Sequence, residues 1–147
     1  MEIIWKGKDF ERSFKNPVLT LGNFDGVHLG HQRIFQRVRE KANEIGGESI
    51  AYTFHPHPVQ MLKPERSPFL LLPVEERLRL IEETGMEVAI CAPFTREFAS
   101  LTAEEFVRHV LHEQIRVWHP TGRGRWSLMK RAIGRMGIKR RMWVGNI

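Results

Sequence analysis

Two histidines lie three residues apart in a glycine-rich segment near the start of the chain. The segment, residues 22–31, reads Gly-Asn-Phe-Asp-Gly-Val-His-Leu-Gly-His and has a glycine at every fourth position. Glycine permits positive φ and lets a ligand come close to the backbone. The imidazoles of His28 and His31 can donate hydrogen bonds to oxygens whose negative charge grows in a transition state. The segment therefore predicts a phosphate-binding site.

The flanking elements would hold this segment in place. Residues 18–21 form a short apolar run, which predicts a buried strand that ends at Gly22. A helix is expected to begin near His31, because apolar residues then recur at helical spacing, namely Ile34, Phe35, Val38, Ala42 and Ile45. The amino end of such a helix attracts phosphate through its free N–H groups and its dipole. Asp25 is expected to orient a histidine or to face Mg²⁺ through water. No Gly-Lys-Ser/Thr follows the glycines, so the segment is not a P-loop.

Strands and helices alternate along the rest of the chain. Residues 49–54 and 88–92 predict two further buried strands, and Pro73 is expected to start a helix that Gly85 closes. Thr102 and Glu105 have the spacing of a capping box at the start of another helix, and Ser127 could cap a last one. This alternation predicts an α/β fold with a parallel sheet and helices on its faces. Ligands bind such sheets at the carboxyl ends of the strands, where the histidine segment lies.

Composition excludes several classes of protein. The chain has 147 residues, 41% of them hydrophobic, which suits one folded domain or a fragment of one. Its one cysteine, Cys91, cannot form an internal disulfide and is expected to be a small core residue. The charged first residues do not form a signal peptide, and the longest apolar run, residues 69–72, is too short to span a bilayer. That run is expected to pack on the sheet, and the protein is expected to be cytoplasmic.

Charge is unevenly distributed. Of the 23 basic and 17 acidic residues, nine basic and no acidic ones lie between Ile115 and Ile147, so the preceding residues carry 14 basic and 17 acidic side chains. A basic segment can contact the phosphates of a nucleotide or of a nucleic acid, or can form a solvated face.

Three segments in the same order resemble one enzyme family. His28-Leu29-Gly30-His31 matches the H-x-G-H signature of nucleotidyltransferases, and the whole of residues 22–31 resembles the adenylyltransferase module of the bacterial bifunctional riboflavin kinase/FMN adenylyltransferases (FAD synthetase). Residues 53–58, Thr-Phe-His-Pro-His-Pro, resemble the family's T-F-x-P-H-P segment. Residues 93–106 resemble its P-F-T…F-A…L-S-A-E-E-F segment. The resemblance covers about residues 18–112 and implies a Rossmann-like fold of the nucleotidyltransferase type.

The resemblance implies a reaction and a set of site residues. The enzyme would transfer AMP from ATP to FMN, giving FAD and pyrophosphate, with Mg²⁺ accompanying the nucleotide. His28 and His31 would be the catalytic residues. The ATP site would comprise both histidines together with Gly22, Asn23, Phe24, Asp25, Gly26 and Gly30. The flavin site would comprise Phe54, Pro56, His57, Pro58 and Leu62. Neither a resident metal site nor a membrane partner is implied.

The resemblance weakens toward the end of the chain. Residues 117–125 stand where the family carries G-x-D/N-F-x-F-G, but the Asp/Asn and both phenylalanines are missing. We interpret residues 1–147 as one domain with a family-like body (1–114) and a basic, divergent segment (115–147), and expect no riboflavin kinase domain. The family pattern is lost where the basic segment begins, and a frameshift or truncation near residues 116–120 would explain why both changes occur at the same place. The site would then be incomplete and the activity impaired.

Two alternatives remain open. His55 and His57 could join His28 and His31 in a metal site, although no acidic or cysteine partner has suitable spacing. The chain could also be a non-catalytic nucleotide- or nucleic-acid-binding fragment, with Trp118, Trp126 and Trp143 stacking on bases among the basic residues. Such tryptophans are more often core residues, so nucleic acid is the less favoured partner.

Overall fold

A single parallel sheet forms the centre of the protein. The computed structural model describes residues 1–5, 12–62 and 70–116. Its four strands are β1 (Glu2–Trp5), β2 (Val18–Leu21), β3 (Ser49–Phe54) and β4 (Val88–Ala92). They lie in the order β1-β4-β3-β2, and every neighbouring pair is parallel. The predicted α/β class and parallel sheet are confirmed.

Helices connect the strands. In chain order they are α1 (Leu29–Glu44), α2 (Pro58–Leu62), α3 (Val74–Glu83), α4 (Arg96–Ser100) and α5 (Ala103–Glu105), and α5 continues into a π-helix (Phe106–Gln114). A short 3₁₀ turn, Asp25–Val27, precedes α1. None of the helices in the described ranges has the length and apolar character needed to cross a membrane. The predicted last helix at Ser127 and most of the basic segment lie outside the described residues.

The two faces of the sheet carry side chains of different size. Alternate residues of a strand point to opposite faces, and Tyr52, Phe54 and Ile90 share one core cluster with Phe106 of the π-helix. The other face carries smaller residues: Ala51 packs with residues of α1 and α3, while Ala89 and Cys91 pack with residues of α3. Small side chains there let both helices approach the strands closely.

Cys91 is the buried core residue that the sequence predicted. Its side chain lies among Val74, Leu78 and Ala89. Burial raises the pKa of its thiol to about 11, so the group stays protonated at neutral pH.

Helix ends follow the sequence signals closely. Thr102 and Glu105 form a reciprocal capping box, with backbone–side-chain distances of 2.8 and 3.1 Å. After α1 the chain turns through Gly46 at φ 60°, and the N–H groups of Gly46 and Gly47 donate to the carbonyls of Asn43 and Ala42. α3 follows Pro73 and is closed by Gly85 at φ 80°.

Two local features differ from the prediction. β1 was not expected, and three of its four residues are exposed, because it is the outer strand beside β4. α1 begins at Leu29 rather than near His31, so His28 occupies the N-cap position and His31 lies in the first turn.

Candidate functional site

The loops that follow β2 and β3 meet at the carboxyl edge of the sheet. Leu21 is in register with Tyr52, and the N–H of Gly22 donates to the carbonyl of Tyr52 at 3.1 Å. One residue further on, the Thr53 hydroxyl donates to the carbonyl of Asn23 at 3.3 Å. The histidine segment and the His-Pro-His-Pro segment are therefore adjacent in space, as the parallel sheet predicts.

The imidazoles of His28 and His31 stack on each other at the start of α1. Their ring centroids are 3.7 Å apart and their planes meet at 21°. Residue 28 is exposed and residue 31 is half-buried, so one ring covers the other. The predicted pair is brought together by position, because an N-cap residue and the third residue after it lie on the same side of a helix.

His31 lies in a less polar environment than its partner. Its ring meets that of Phe24 edge to face, at a centroid distance of 5.4 Å. Its pKa is lowered to about 4, chiefly by burial and to a smaller extent by the neighbouring His28, while Asp25 opposes the shift. At neutral pH His31 is an uncharged imidazole that offers one N–H and one lone pair. Its Nδ1 is buried and has no hydrogen-bond partner among the residues described.

The amino end of α1 adds backbone donors beside this pair. The first N–H groups of a helix have no intrahelical partner, and within the described residues no side chain caps α1. With 16 residues, α1 has a full dipole whose positive end lies at the histidines. This arrangement can bind an anion and stabilise developing negative charge.

Glycines at positions 26 and 30 make the loop geometry possible. Gly26 has φ 75°, and a Cβ on it would lie 2.8 Å from Cδ1 of Leu71. Gly30 is helical, and a Cβ there would come within 3.1 Å of Cε1 of His28. The second glycine therefore leaves room for the ring of His28 to lie over the helix start.

Two non-glycine residues of the loop adopt left-handed conformations. Phe24 has φ 52° and Val27 has φ 39°, and both side chains are buried with Phe35. Such conformations are unfavourable, above all for a β-branched residue, and they persist where packing enforces them. Burial of these two side chains thus stabilises a strained loop that presents the histidines.

Asp25 has a role that the sequence did not indicate. Its carboxylate accepts hydrogen bonds from the N–H groups of Leu71 and Leu72, at 3.0–3.2 Å. It thereby joins the histidine loop to the segment that leads into α3. The side chain of Leu71 is 72% exposed, so this part of the apolar run follows the loop instead of packing on the sheet.

The His-Pro-His-Pro segment borders a small cavity. About 200 Å³ in volume, it is lined by His55, His57, Gln60, Leu70, Leu72, Pro73, Val74, Glu75 and Arg77. Burial lowers the pKa of His57, and the nearby Arg77 acts in the same direction while Asp25 opposes it. Pro56 is half-buried and Pro58 is buried beside it.

The remaining predicted flavin residues lie differently. The side chain of Phe54 is fully buried, and its ring packs against Phe94 and Phe98 at centroid distances of 5.4 and 5.2 Å. Its ring therefore packs in the core beneath the loop that follows β3 and does not line the cavity. Leu62 is the last residue of α2, and its side chain lies outside the described part.

Arg77 is a site residue that the sequence analysis missed. Arg77 is only 2% exposed, and its guanidinium donates to the carbonyls of Asn23 and Phe54 at 2.9 and 2.8 Å. A signal was present, since a charged residue interrupts the apolar face formed by Val74, Leu78 and Ile81. Desolvation lowers the pKa of this arginine below its ordinary value.

The four histidines are not arranged as a set of metal ligands in the part of the chain that the structure describes. Among residues 1–5, 12–62 and 70–116, no group of three or more His, Cys, Asp or Glu side chains is arranged to hold a metal ion. Both carboxylate oxygens of Asp25 already accept backbone hydrogen bonds.

Comparison with known proteins gives a consistent assignment. Residues 10–121 match the FAD synthetase family. The chain is 36% identical over 100 residues to the bifunctional riboflavin kinase/FMN adenylyltransferase of Escherichia coli K12, covering 68% of this chain and 32% of that protein. It is 41% identical over 91 residues to the protein of the same name from Bacillus subtilis, covering 61% of this chain and 29% of the relative. The chain thus spans about a third of the length of the curated relatives it matches.

A solved structure shares the fold. The crystal structure described as a macrolide-efflux protein from Streptococcus pneumoniae matches with a TM-score of 0.60 and 31% sequence identity. The match covers 73% of this chain and 36% of that one.

Proposed function

This chain belongs to the FAD synthetase family, and from that premise we propose that it transfers AMP from ATP to FMN, giving FAD and pyrophosphate. The observation that carries the proposal is the stacked pair of His28 and His31 at the amino end of α1. The pair lies at the carboxyl edge of the sheet, where α/β proteins bind nucleotides.

The chemistry is a displacement at phosphorus. An oxygen of the FMN phosphate attacks the α-phosphorus of ATP, the bond to the bridging oxygen of the β-phosphate breaks, and pyrophosphate leaves. Negative charge accumulates on the phosphate oxygens, where backbone N–H groups of α1 and the imidazole N–H groups donate hydrogen bonds. No covalent intermediate with the protein is required, so the residues act by positioning and electrostatic stabilisation.

The low pKa of His31 suits this role. With a pKa of about 4, it is a neutral donor at physiological pH and does not need to gain or lose a proton during the reaction. A neutral donor also lets pyrophosphate leave, because it holds the product less tightly than a buried cation would.

The ATP side of the site comprises the histidine loop. We assign Gly22, Asn23, Phe24, Asp25, Gly26 and Gly30 to it by position. Phe24 and Asp25 maintain the conformation of this loop. The ring of Phe24 packs on His31, and the Asp25 carboxylate accepts hydrogen bonds from the N–H groups of Leu71 and Leu72.

The flavin side comprises the loop after β3. We assign Pro56, His57, Pro58 and Leu62 to it, with Phe54 packing beneath the loop. The cavity next to His57 supports this assignment, because four apolar residues contribute to its lining and Arg77, which contacts Asn23 of the histidine loop, also borders it.

Mg²⁺ is expected to enter as part of the substrate. Magnesium is commonly bound through substrate phosphates and a few carboxylates, with water completing its shell. In the portion of the chain that the structure describes, no acidic cluster forms a cage for it. Magnesium bound to the ATP phosphates would neutralise charge during the displacement.

The decisive test is FAD formation by purified chain and its histidine variants. His28→Ala and His31→Ala should each lower kcat/KM by at least about 10²-fold, the usual effect of removing one preorganised donor. His112→Ala is the matched control, because His112 is exposed on the π-helix away from the loop, and should leave the rate unchanged. The measurement is FAD and pyrophosphate formed from FMN and MgATP.

Unchanged turnover in both loop variants would contradict the assigned role of the histidines. Absence of FAD from the unmodified chain would contradict the proposed reaction itself.

We also propose that this chain works more slowly than its bifunctional relatives. Residues 117–125, which lie outside the described residues, lack the Asp/Asn and both phenylalanines of the family's G-x-D/N-F-x-F-G segment, and only their Gly-Arg-Gly-Arg end resembles the family's glycine-basic continuation. Replacing residues 117–125 by that family segment should raise kcat/KM if the interpretation is correct.

The alternative function rests on the basic segment alone. Nine basic residues without an acidic one favour contact with nucleic acid. Such binding would weaken steeply with salt and would be lost on deletion of residues 115–147. Formation of FAD by the purified chain would instead support the enzyme.

A further inference from the structure

Arg77 connects the two loops to which the proposed function assigns the substrates. It projects from α3, and its Nη1 donates to the carbonyl of Asn23 in the histidine loop at 2.9 Å. Its Nη2 donates to the carbonyl of Phe54, at the end of β3, at 2.8 Å. One rigid, planar group thus fixes the distance between the two loops.

Stability alone does not account for a cation at this position. Arg77 is 2% exposed, it forms no ion pair within the described ranges, and its Nε is buried without a hydrogen-bond partner there. Burying an incompletely paired charge is costly. In some proteins, buried ionic groups are retained at such a cost because they specify one arrangement of their neighbours.

A second contact reinforces the same connection. Asp25 in the histidine loop accepts from the N–H groups of Leu71 and Leu72, shortly before α3 begins. The histidine loop is therefore attached to the α3 region from both sides, once through its own carboxylate and once through Arg77.

We infer that Arg77 is a positioning residue that holds the histidine loop and the loop after β3 at a fixed distance from each other for the transfer. Both guanidinium contacts go to backbone carbonyls, so we assign it no contact with the reacting atoms although it also lines the cavity beside His57. This inference rests on the proposed function. It predicts that losing Arg77 affects both substrates together, whereas losing a residue of one loop affects mainly one substrate.

The test compares variants of two arginines on the same helix. Arg77→Met removes both carbonyl contacts, and Arg77→Lys keeps the charge and one flexible donor. Arg79→Met is the control, because Arg79 is exposed and pairs only with Glu76 and Glu83 among the described residues. For each protein we would measure kcat, the KM for ATP, the KM for FMN and the melting temperature.

Arg77→Met should raise the KM for both substrates and lower kcat/KM by about 10²-fold, because displacements near 1 Å have effects of that size. Arg77→Lys should fall between this variant and the unmodified chain. Arg79→Met should have unchanged constants. KM values within twofold of the original in folded Arg77→Met would overturn the inference.

Two further results are decisive. If Arg77→Met does not fold, Arg77→Gln, which keeps one amide donor, replaces it, and loss of folding in both would make Arg77 a purely structural residue. If the unmodified chain forms no FAD, the proposed function fails. Calorimetric binding of a non-hydrolysable ATP analogue and of FMN to the same variants then decides the positioning role separately, with both affinities expected to fall in Arg77→Met.

Discussion

The contact between His28 and His31 limits the positive charge that the loop can carry. Two imidazolium rings with centroids 3.7 Å apart would repel each other, and burial already disfavours the charged form of His31. The loop therefore presents at most one imidazolium at neutral pH. Donation by neutral N–H groups and by the end of α1 then carries the proposed catalysis.

Protonation of His31 should make stability depend on pH. In the folded chain its pKa is about 4 instead of the ordinary 6.5, so the unfolded chain binds the proton more readily. Stability should therefore fall as the pH is lowered from about 7 toward 4, and this contribution should level off below 4. In His31→Gln the loss should be smaller by about 1 kcal/mol, a value reduced for the partial exposure of the ring.

Urea unfolding at pH 7.0 and pH 5.0 measures this effect. His112→Gln serves as the control, because its side chain is exposed. The residual slope in His31→Gln should come partly from His57, whose pKa is lowered by burial in the same way. An identical loss of stability in the original chain and in His31→Gln would contradict the assigned pKa.

Some residues of the candidate site could be predicted from the sequence and others could not. The pairing of His28 and His31 in space could be predicted because their spacing and the flanking glycines are local features. The roles of Asp25 and Arg77 depend on partners 46 and 54 residues away in the chain, which no local pattern specifies. Phe54 was placed in the flavin site by adjacency, but strand alternation directs its ring into the core.

At the level of elements, a substitution at Gly30 should change the geometry of the site and the stability of α1 in different directions. Gly30→Ala adds a Cβ that would meet the ring of His28 at 3.1 Å, so the exposed ring must move. Alanine also favours the helical conformation by up to about 1 kcal/mol. We expect FAD formation to fall about tenfold while the melting temperature stays the same or rises slightly.

The matched variant Gly46→Ala should show the opposite pattern. Gly46 has φ 60° at the end of α1, and its added Cβ would meet nothing within 4 Å. Alanine is strained in that conformation, so stability should fall by about 1 kcal/mol while the kinetic constants of the folded protein remain unchanged. Kinetic constants and melting temperatures of the two variants provide the comparison. Parallel changes in both properties would contradict it.

Elements with a continuous apolar sequence were predicted well. β2, β3 and β4 coincide with the three predicted runs, because strands of a covered parallel sheet are apolar on both faces; β3 and β4 are buried throughout, and three of the four residues of β2 are half-buried. β1 was missed because an outer strand of four residues with a charged start has no distinct pattern. The π-helical hydrogen bonding of residues 106–114 was also missed, because the apolar spacing there resembles that of an α-helix.

At the scale of the whole molecule, the order of the strands decides which loops can cooperate. β2 and β3 are neighbours, β4 follows, and α3 lies between β3 and β4 in the chain while contacting the histidine loop. The parallel sheet could be predicted from the alternation of elements. The order β1-β4-β3-β2 could not, because it depends on pairing between distant segments that share similar apolar sequences.

Adjacent strands lie only about 4.8 Å apart. The ends of β2 and β3 carry the histidine loop, assigned to ATP, and the loop after β3, assigned to FMN. FAD, which contains both halves, would occupy the two subsites at once. We therefore expect added FAD to inhibit competitively against ATP and also against FMN, as initial-rate measurements at several FAD concentrations would show. Inhibition that is non-competitive with both substrates would contradict this expectation.

The hydrogen bond between Gly22 and Tyr52 joins those two strand ends and so holds the two proposed subsites side by side. Under the proposed function, accumulated dinucleotide would slow its own formation without a separate regulatory site, since the finished molecule would block the entry of both precursors.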